Sequence, residues 1–374
     1  MVRSVMKTCF AYVYSGANAV RALLPGTLSG GSELPFIVCY HRVVENFEKS
    51  AQHAIPSMLI STAMLERHID WLAKRYSIVS LDEIGSHLES PRKFSKPPAA
   101  ITFDDGYSDV YYNAMPLLLR KGVPSAVFTV TGLISTTWPQ LFDRLYLSLS
   151  DLQLRGASVA CTVNSVSSSL SIDTGILDRL RPSADEPFRV MSALLWAVPH
   201  NHVEKIVAAL EKGRGYQNEV LEQMKPMTWE MVSKMAGQGI IIGSHTRSHA
   251  LLTNENADTV RAELRESKLA LETRLRMPIY HFAYPDGRFN PSVVQAASSA
   301  GYRYAYGICR ERDEQLPLLT IPRKVLWEQS CLSAMSKFSS AMMNCHVNWV
   351  FGERECSRHH HVSIPQMEHY ANAS

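Results

Sequence analysis

Short, wholly apolar runs alternate along this chain with longer stretches in which apolar residues recur every three to four positions. The runs at Phe36–His41 (FIVCYH), Tyr76–Leu81 (YSIVSL), Ala99–Phe103 (AAITF) and Pro124–Val130 (PSAVFTV) read as strands. So do GIIIGSH ending at His245, IYHFAYP ending at Pro285 and YRYAYGI ending at Ile308. Between them, Leu65–Leu72, Tyr111–Lys121 (stopped by Gly122), Trp229–Ala236, Asp258–Arg276 and Pro291–Ala300 carry the helical period. In the stretch from Asp258, residues Val260, Leu264, Leu271 and Leu275 fall on one face, which would pack on a sheet. Strands that are apolar throughout, rather than on alternate positions, belong to a parallel sheet covered on both faces.

The alternation fails from about 133 to 226. There VNSVSSSLSI is polar and reads as extended, while Glu186–Ala197 and His202–Leu210 read as helices. This is an insertion between core units. A flexible break, GTLSGGSELP (Gly26–Pro35), sets off a leader, so the expected organisation is 1–34 leader helix and linker, 35–330 body, and 331–374 tail. The tail, rich in Met, Cys and His without a period, reads as disordered or loosely packed; His359, His360 and His361 are adjacent and cannot share one rigid metal site.

In the leader, Met6, Phe10, Val13, Ala17, Val20 and Leu24 recur at helical spacing, flanked by Arg3, Lys7 and Arg21. That pattern suits an amphipathic helix lying on a membrane surface. The alternative is an atypical signal peptide, Thr8–Val20 ending in Ala17-Asn18-Ala19, although Tyr12, Tyr14, Ser15 and Gly16 make a poor signal core. The expected location is therefore cytoplasmic or peripheral to a membrane, with secretion as the alternative.

A length of 374 residues, 46% hydrophobic and 20% charged, suits one α/β domain with additions. The net charge of +3 comes with no basic stripe, which sets nucleic acid aside as a partner. Seven cysteines without a CxxC pair favour a reducing compartment over a disulfide framework.

In parallel α/β folds the chemistry sits at the carboxyl ends of the strands. Four such tips carry functional groups: His41; Asp104-Asp105; SHTRSH (Ser244–His249); and AYPDG (Ala283–Gly287). Two adjacent carboxylates at a buried strand end repel unless a cation or proton lies between them; the plain alternative is that they cap the next helix. His245 and His249, three residues apart, would share one face of a helical turn within reach of a single ion. Two imidazoles and one carboxylate leave a coordination position for water, the catalytic arrangement. One aspartate would then bind the metal, and the other would be free to take a proton.

TFDDG, SHTRSH and YPDG together resemble the polysaccharide deacetylase family, the NodB-homology carbohydrate esterases, over roughly Phe36–Val325 with the insertion as an interruption. The resemblance implies a distorted (β/α) barrel of about seven parallel strands and metal-dependent removal of N-acetyl, sometimes O-acetyl, groups from a saccharide. Carried over by motif, Asp104 is the general base, and Asp105, His245 and His249 hold a divalent metal, usually zinc. Tyr284, Pro285, Asp286 and Gly287 form the loop whose backbone N–H at Asp286 would hold the oxyanion. This third motif departs from the family's Arg-x-Pro-Tyr: Ala283 stands for Arg and Asp286 for Tyr. The orientation of Asp104 is thereby left without its usual support, and Arg323, in Ile321-Pro322-Arg323, is the cation available to steady it. The family's late Leu-x-His motif has no counterpart. His41 is the candidate proton donor to the leaving amine, with a loop-bonding structural role as its alternative. The rival to an enzyme is a non-catalytic saccharide-binding relative.

Overall fold

The computed structural model describes residues 7–15, 34–175, 177, 185–212, 218–310 and 312–350. Its strands are β1 (Phe36–Tyr40), β2 (Arg42–Val44), β3 (Leu59–Ser61), β4 (Ser77–Ile78), β5 (Pro98–Phe103), β6 (Ser125–Thr129), β7 (Ile241–Ser244), β8 (His281–Ala283), β9 (Tyr304–Gly307), β10 (Ile321–Pro322) and β11 (Lys324–Val325). Nine of them join one sheet in the order β10-β9-β8-β7-β6-β5-β1-β11, with β4 paired outside the path to β5 and every ladder parallel. β2 and β3 make a separate parallel pair.

Only Arg323 separates β10, which pairs with β9, from β11, which pairs with β1. The two are halves of one stave that joins the ends of the sheet. The result is a nearly closed (β/α) barrel whose seven staves are β1, β5, β6, β7, β8, β9 and the β10–β11 stave. Side chains alternate along each stave. Ile37, Ala100, Ala126, Phe128, Ala283, Tyr306 and Ile321 form one apolar cluster. Their neighbours Val38, Ile101, Val127, Phe282 and Ala305 join a second, larger cluster with the helices.

The helices are α1 (residues 7–15), α2 (Phe47–Ser50), α3 (Thr62–Arg75), α4 (Leu81–Glu89), α5 (Met115–Lys121), α6 (Leu141–Leu154), α7 (Val159–Ser169), α8 (Pro187–Ala197), α9 (His200–Glu211), α10 (Asn218–Gln223), α11 (Trp229–Gly237), α12 (Ala257–Leu275), α13 (Pro291–Ser299) and α14 (Ser340–Val347). Side-chain caps start many of them: Ser61 on α3, Thr228 on α11, Asn256 on α12, Asn290 on α13, and a Ser80–Glu83 capping box on α4. α5 stops at Gly122, whose φ of +61° is the left-handed conformation that glycine adopts freely.

α6, α7, α8 and α9 of the insertion share an apolar core of their own, including Leu145, Leu149, Val163, Val190, Leu194, Ile206 and Val207. Ile55 and Tyr107 tie that core to the body. The polar stretch from Val163, expected to be extended, is for the most part α7. Its sparse apolar residues suffice because Val159, Val163 and Ser167 recur every fourth position on the buried face. Local polarity misled here; packing against α9 and α8 decides the conformation.

Two further expectations need correction. The start of the tail is packed: α14 buries Met343, Cys345 and Val347, and Trp71 Nε1 donates to Ser340 Oγ. His359–His361 lie outside the described residues. α1 packs on α14 through Ala11, which meets Ala341, Met342 and Cys345. The expected helix is present over residues 7–15, and Phe10 and Val13, on its expected apolar face, are 52% and 72% exposed. A methyl-sized side chain lets the two helices approach, and so it turns the larger residues outward. Among the described cysteines Cys309 is disulfide-bonded, so the thiols are not all free.

Burial holds His346 neutral, with its pKa pushed down to about 4, and its Nε2–H donates to the Ser330 carbonyl. An unfolded chain takes up a proton there as pH falls through about 6.5. Stability should therefore decline as pH drops from about 6.5 towards 4, because the unfolded state binds more protons in that window. His346→Gln should flatten that slope by on the order of 1–3 kcal/mol, measured by urea unfolding across pH. An unchanged slope refutes the assignment.

Candidate active site

Hydrogen bonds extend the ladders just past the strand ends and set the tips side by side. Asp104 N–H donates to Tyr40 O (2.9 Å), His245 N–H to Thr129 O (2.9 Å), Tyr284 N–H to Tyr306 O (3.0 Å) and Arg323 N–H to Gly307 O (3.0 Å). Asp104, Asp105 and His245 are each at most 3% exposed.

Arg323 grips Asp104 through two parallel bonds, Nη1 to Oδ1 and Nη2 to Oδ2, both 2.7 Å, and donates to Thr102 Oγ1 at 3.1 Å. Cys39 Sγ lies 3.3 Å from Asp104 Oδ2. Burial alone would raise the Asp104 pKa, but the guanidinium charge outweighs it and holds the carboxyl well below the usual range. The support that Ala283 cannot give thus arrives from the closing stave.

Asp105 stands differently. Its backbone is left-handed (φ 70°), and among the described residues neither of its buried carboxylate oxygens has a hydrogen-bond partner. His249 Nε2 is 3.3 Å and His245 Nε2 3.5 Å from Oδ1. His245 Nδ1–H donates to the Ala283 carbonyl at 2.8 Å, which fixes the tautomer and turns the Nε2 lone pair towards Asp105. Burial pushes the His245 pKa down to about 4, leaving it neutral as a ligand must be. Burial also lowers that of His249, yet contact with Asp105 and nearby carboxylates reverse the direction. Ligand atoms of Asp105, His245 and His249 all lie within 4.8 Å of one another. Two orphaned carboxylate oxygens and two aimed imidazole nitrogens are a donor set that fits a divalent cation.

The two histidines do not share a helical turn, as their spacing suggested. Residues 245–250 form a loop with Thr246 and His249 at φ 66° and 64°. Glu263 of α12 shapes it, accepting from Arg247 N–H (2.8 Å), Ser248 N–H (2.9 Å) and Ser248 Oγ (2.7 Å). The rings still meet, with centroids 4.8 Å apart.

His41 reaches the same rim: it groups with Cys39 and Asp104 within 4.8 Å, and its Nδ1 is buried without a partner. Tyr284 points away into the core, its hydroxyl donating to Leu319 O at 2.9 Å. Pro285 and Gly287 are buried beneath the loop while Asp286 is exposed. Gly287 has φ +63°, and a Cβ there would come within 2.7 Å of Ile308 N, so only glycine seats the loop.

The insertion supplies the residues that motif reading missed. Gln140 Nε2 donates to Asp105 O (3.0 Å), Phe142 packs against the His249 ring (5.0 Å), and Trp196 Nε1 donates to Asp286 Oδ2 (2.7 Å). Nothing in their local sequence marks them; the fold of a different segment brings them in.

A family model described as polysaccharide deacetylase matches residues 92–154 and 197–305. Over these residues the chain matches the polysaccharide deacetylase family. The Bacillus subtilis (strain 168) protein YxkH, which carries that family's name, is 21% identical over 248 residues, 66% of this chain and 58% of its own length. The chain thus spans little more than half of that relative. Two solved structures share the fold. The Streptococcus pyogenes deacetylase PplD in complex with acetate is 17% identical, with TM-score 0.50, covering 80% of this chain and 95% of its own. BC0361, a polysaccharide deacetylase from Bacillus cereus, is 14% identical, with TM-score 0.51, covering 84% and 69%. The family model leaves 155–196 unmatched, the inner part of the insertion.

Arg323→Met leaves Asp104 buried and unpaired. Removing one partner of a buried pair costs about 3–5 kcal/mol, a loss that chemical denaturation near neutral pH should reveal. A change below about 1 kcal/mol contradicts the tether, since that is what exposed pairs contribute.

Proposed function

We propose that the protein is a metal-dependent hydrolase that removes acetyl groups from the amino sugars of a saccharide. The observation that carries this is Asp105, buried with both oxygens unpartnered between His245 and His249 and beside an arginine-clamped Asp104. Asp105, His245 and His249 would hold the metal, with zinc the ion best suited to two imidazoles and a carboxylate. When bound, such an ion polarises the acetyl carbonyl and acidifies water.

The chain's own groups supply the rest. Asp104, kept ionised by Arg323, accepts the proton of the attacking water. The Asp286 backbone N–H donates to the oxygen that gains charge as the carbonyl becomes tetrahedral. His41, on the rim beside Asp104, hands a proton to the departing amine. Acetate and a free amine are the products.

Acetate release from N-acetylglucosamine oligomers should stop after chelation and return with zinc or cobalt. Asp104→Asn should keep the metal yet lose about 10²–10⁴-fold in turnover, the contribution of a positioned base. His249→Ala should lose metal affinity by calorimetry. Full activity in a metal-free sample sinks this reading.

His41→Gln should bind zinc normally, lower turnover and flatten the alkaline limb of the pH–rate profile. A profile identical to that of the parent returns His41 to a structural role.

A further inference from the structure

Three arginines are buried among the described residues: Arg42, Arg288 and Arg323, at 2%, 8% and 1% exposure. Arg42 pairs with Asp109 at 2.9 Å, and Arg323 with Asp104 at 2.7 Å. Arg288 makes no ion pair and no side-chain hydrogen bond among the described residues, and its Nε is buried without a partner. The centroid of the Trp196 ring lies 5.5 Å from its guanidinium carbon. A guanidinium whose Nε is buried without a partner is costly to keep, so a partner that arrives from outside accounts for it better than packing does.

Its location says which partner. Arg288 follows Asp286 by two residues, on the loop after β8, whose Ala283 carbonyl accepts from His245 Nδ1. Trp196 touches both members of this corner: its ring meets Arg288 and its N–H holds the Asp286 carboxylate at 2.7 Å. Asp286 sits in the left-handed region (φ 52°), a conformation that a non-glycine residue adopts only when its surroundings impose it. Trp196 is the last residue of the segment that the family model leaves unmatched, so this contact is an addition of the insertion.

We propose that Arg288, backed by Trp196, is the saccharide-positioning residue of this site, its guanidinium donating to hydroxyl or carboxylate oxygens of the sugar unit beside the acetylated one. The inference rests on the reading that a saccharide enters here. A planar fork of N–H donors suits closely spaced oxygens, and Trp196 keeps that fork and the Asp286 loop in register. Trp196 acts through Arg288 and Asp286 and is a positioning residue.

Binding, rather than turnover, tests this. Calorimetry on zinc-loaded D104N protein, in which substrate persists, would use two probes: a neutral N-acetylglucosamine tetramer and a tetramer alternating N-acetylglucosamine with glucuronate. R288M should weaken binding of the preferred tetramer by about 10–100-fold, the worth of a hydrogen bond to a charged donor. Its Tm should not fall, because an unpaired buried charge has been removed. R288K, which keeps the charge and loses the fork, should bind several-fold more weakly at unchanged Tm, and it decides the matter if R288M folds poorly. W196F, made in the Asp104 parent, should raise KM and lower kcat together, because it loosens both the fork and the Asp286 loop. R288M or R288K binding both tetramers as tightly as the D104N parent overturns the proposal, as does a parent that binds neither. If the tetramers bind and R288M weakens them while the Asp104 enzyme releases no acetate, the deacetylase reading fails and the positioning role stands.

Discussion

The buried pair between Arg323 and Asp104 is the constraint around which the rest is arranged. A carboxylate at the end of β5 and a second beside it cannot both be ionised in a dry barrel mouth without positive charge close by. The protein divides the task. Arg323 neutralises Asp104 with a two-bond grip, and His245 and His249 surround Asp105 with nitrogen. Because guanidinium never titrates in the accessible range, the first pairing is permanent. The second is left open, with two oxygens free to accept a cation. Adjacent residues of one type thereby receive opposite environments.

Much of this was legible in the sequence. The parallel barrel follows from apolar runs that do not alternate, and the rim residues from polar groups ending those runs. Asp104, Asp105, His41, His245 and His249 converge because each sits at a strand's carboxyl end, a position that the one-dimensional pattern marks. Arg323 was readable as the cation to steady Asp104, because Ala283 removes the usual support, but its reach was not. What brings it to Asp104 is the closing of the sheet, which no local pattern encodes. The HxxxH spacing pointed to two imidazoles that do meet, but through a different local geometry, since Glu263, from α12, bends that segment into a loop.

The insertion and the tail were the least legible, for a shared physical reason. α7 is polar enough to pass for an exposed strand, and α14 has little contrast between its faces. Each is helical because of what it lies against: α7 on α8 and α9, and α14 on Ala11 and Trp71. Gln140, Phe142 and Trp196 belong to the same category. Their roles come from long-range placement, and the side chains carry no motif.

The closing stave has a consequence for when the molecule can first work. Arg323 lies between two half-strands that join opposite ends of the sheet, more than two hundred residues after the carboxylate it grips. During synthesis Asp104, Asp105, His245 and His249 are all made well before this stave. A chain folded only that far has an unsealed barrel edge and an Asp104 with no counter-charge, which favours the protonated acid. The last loop closure, the slowest kind of contact to form, therefore seals the barrel and gives Asp104 its counter-charge in one event, so that on the function proposed above a partly folded copy would also be a silent one.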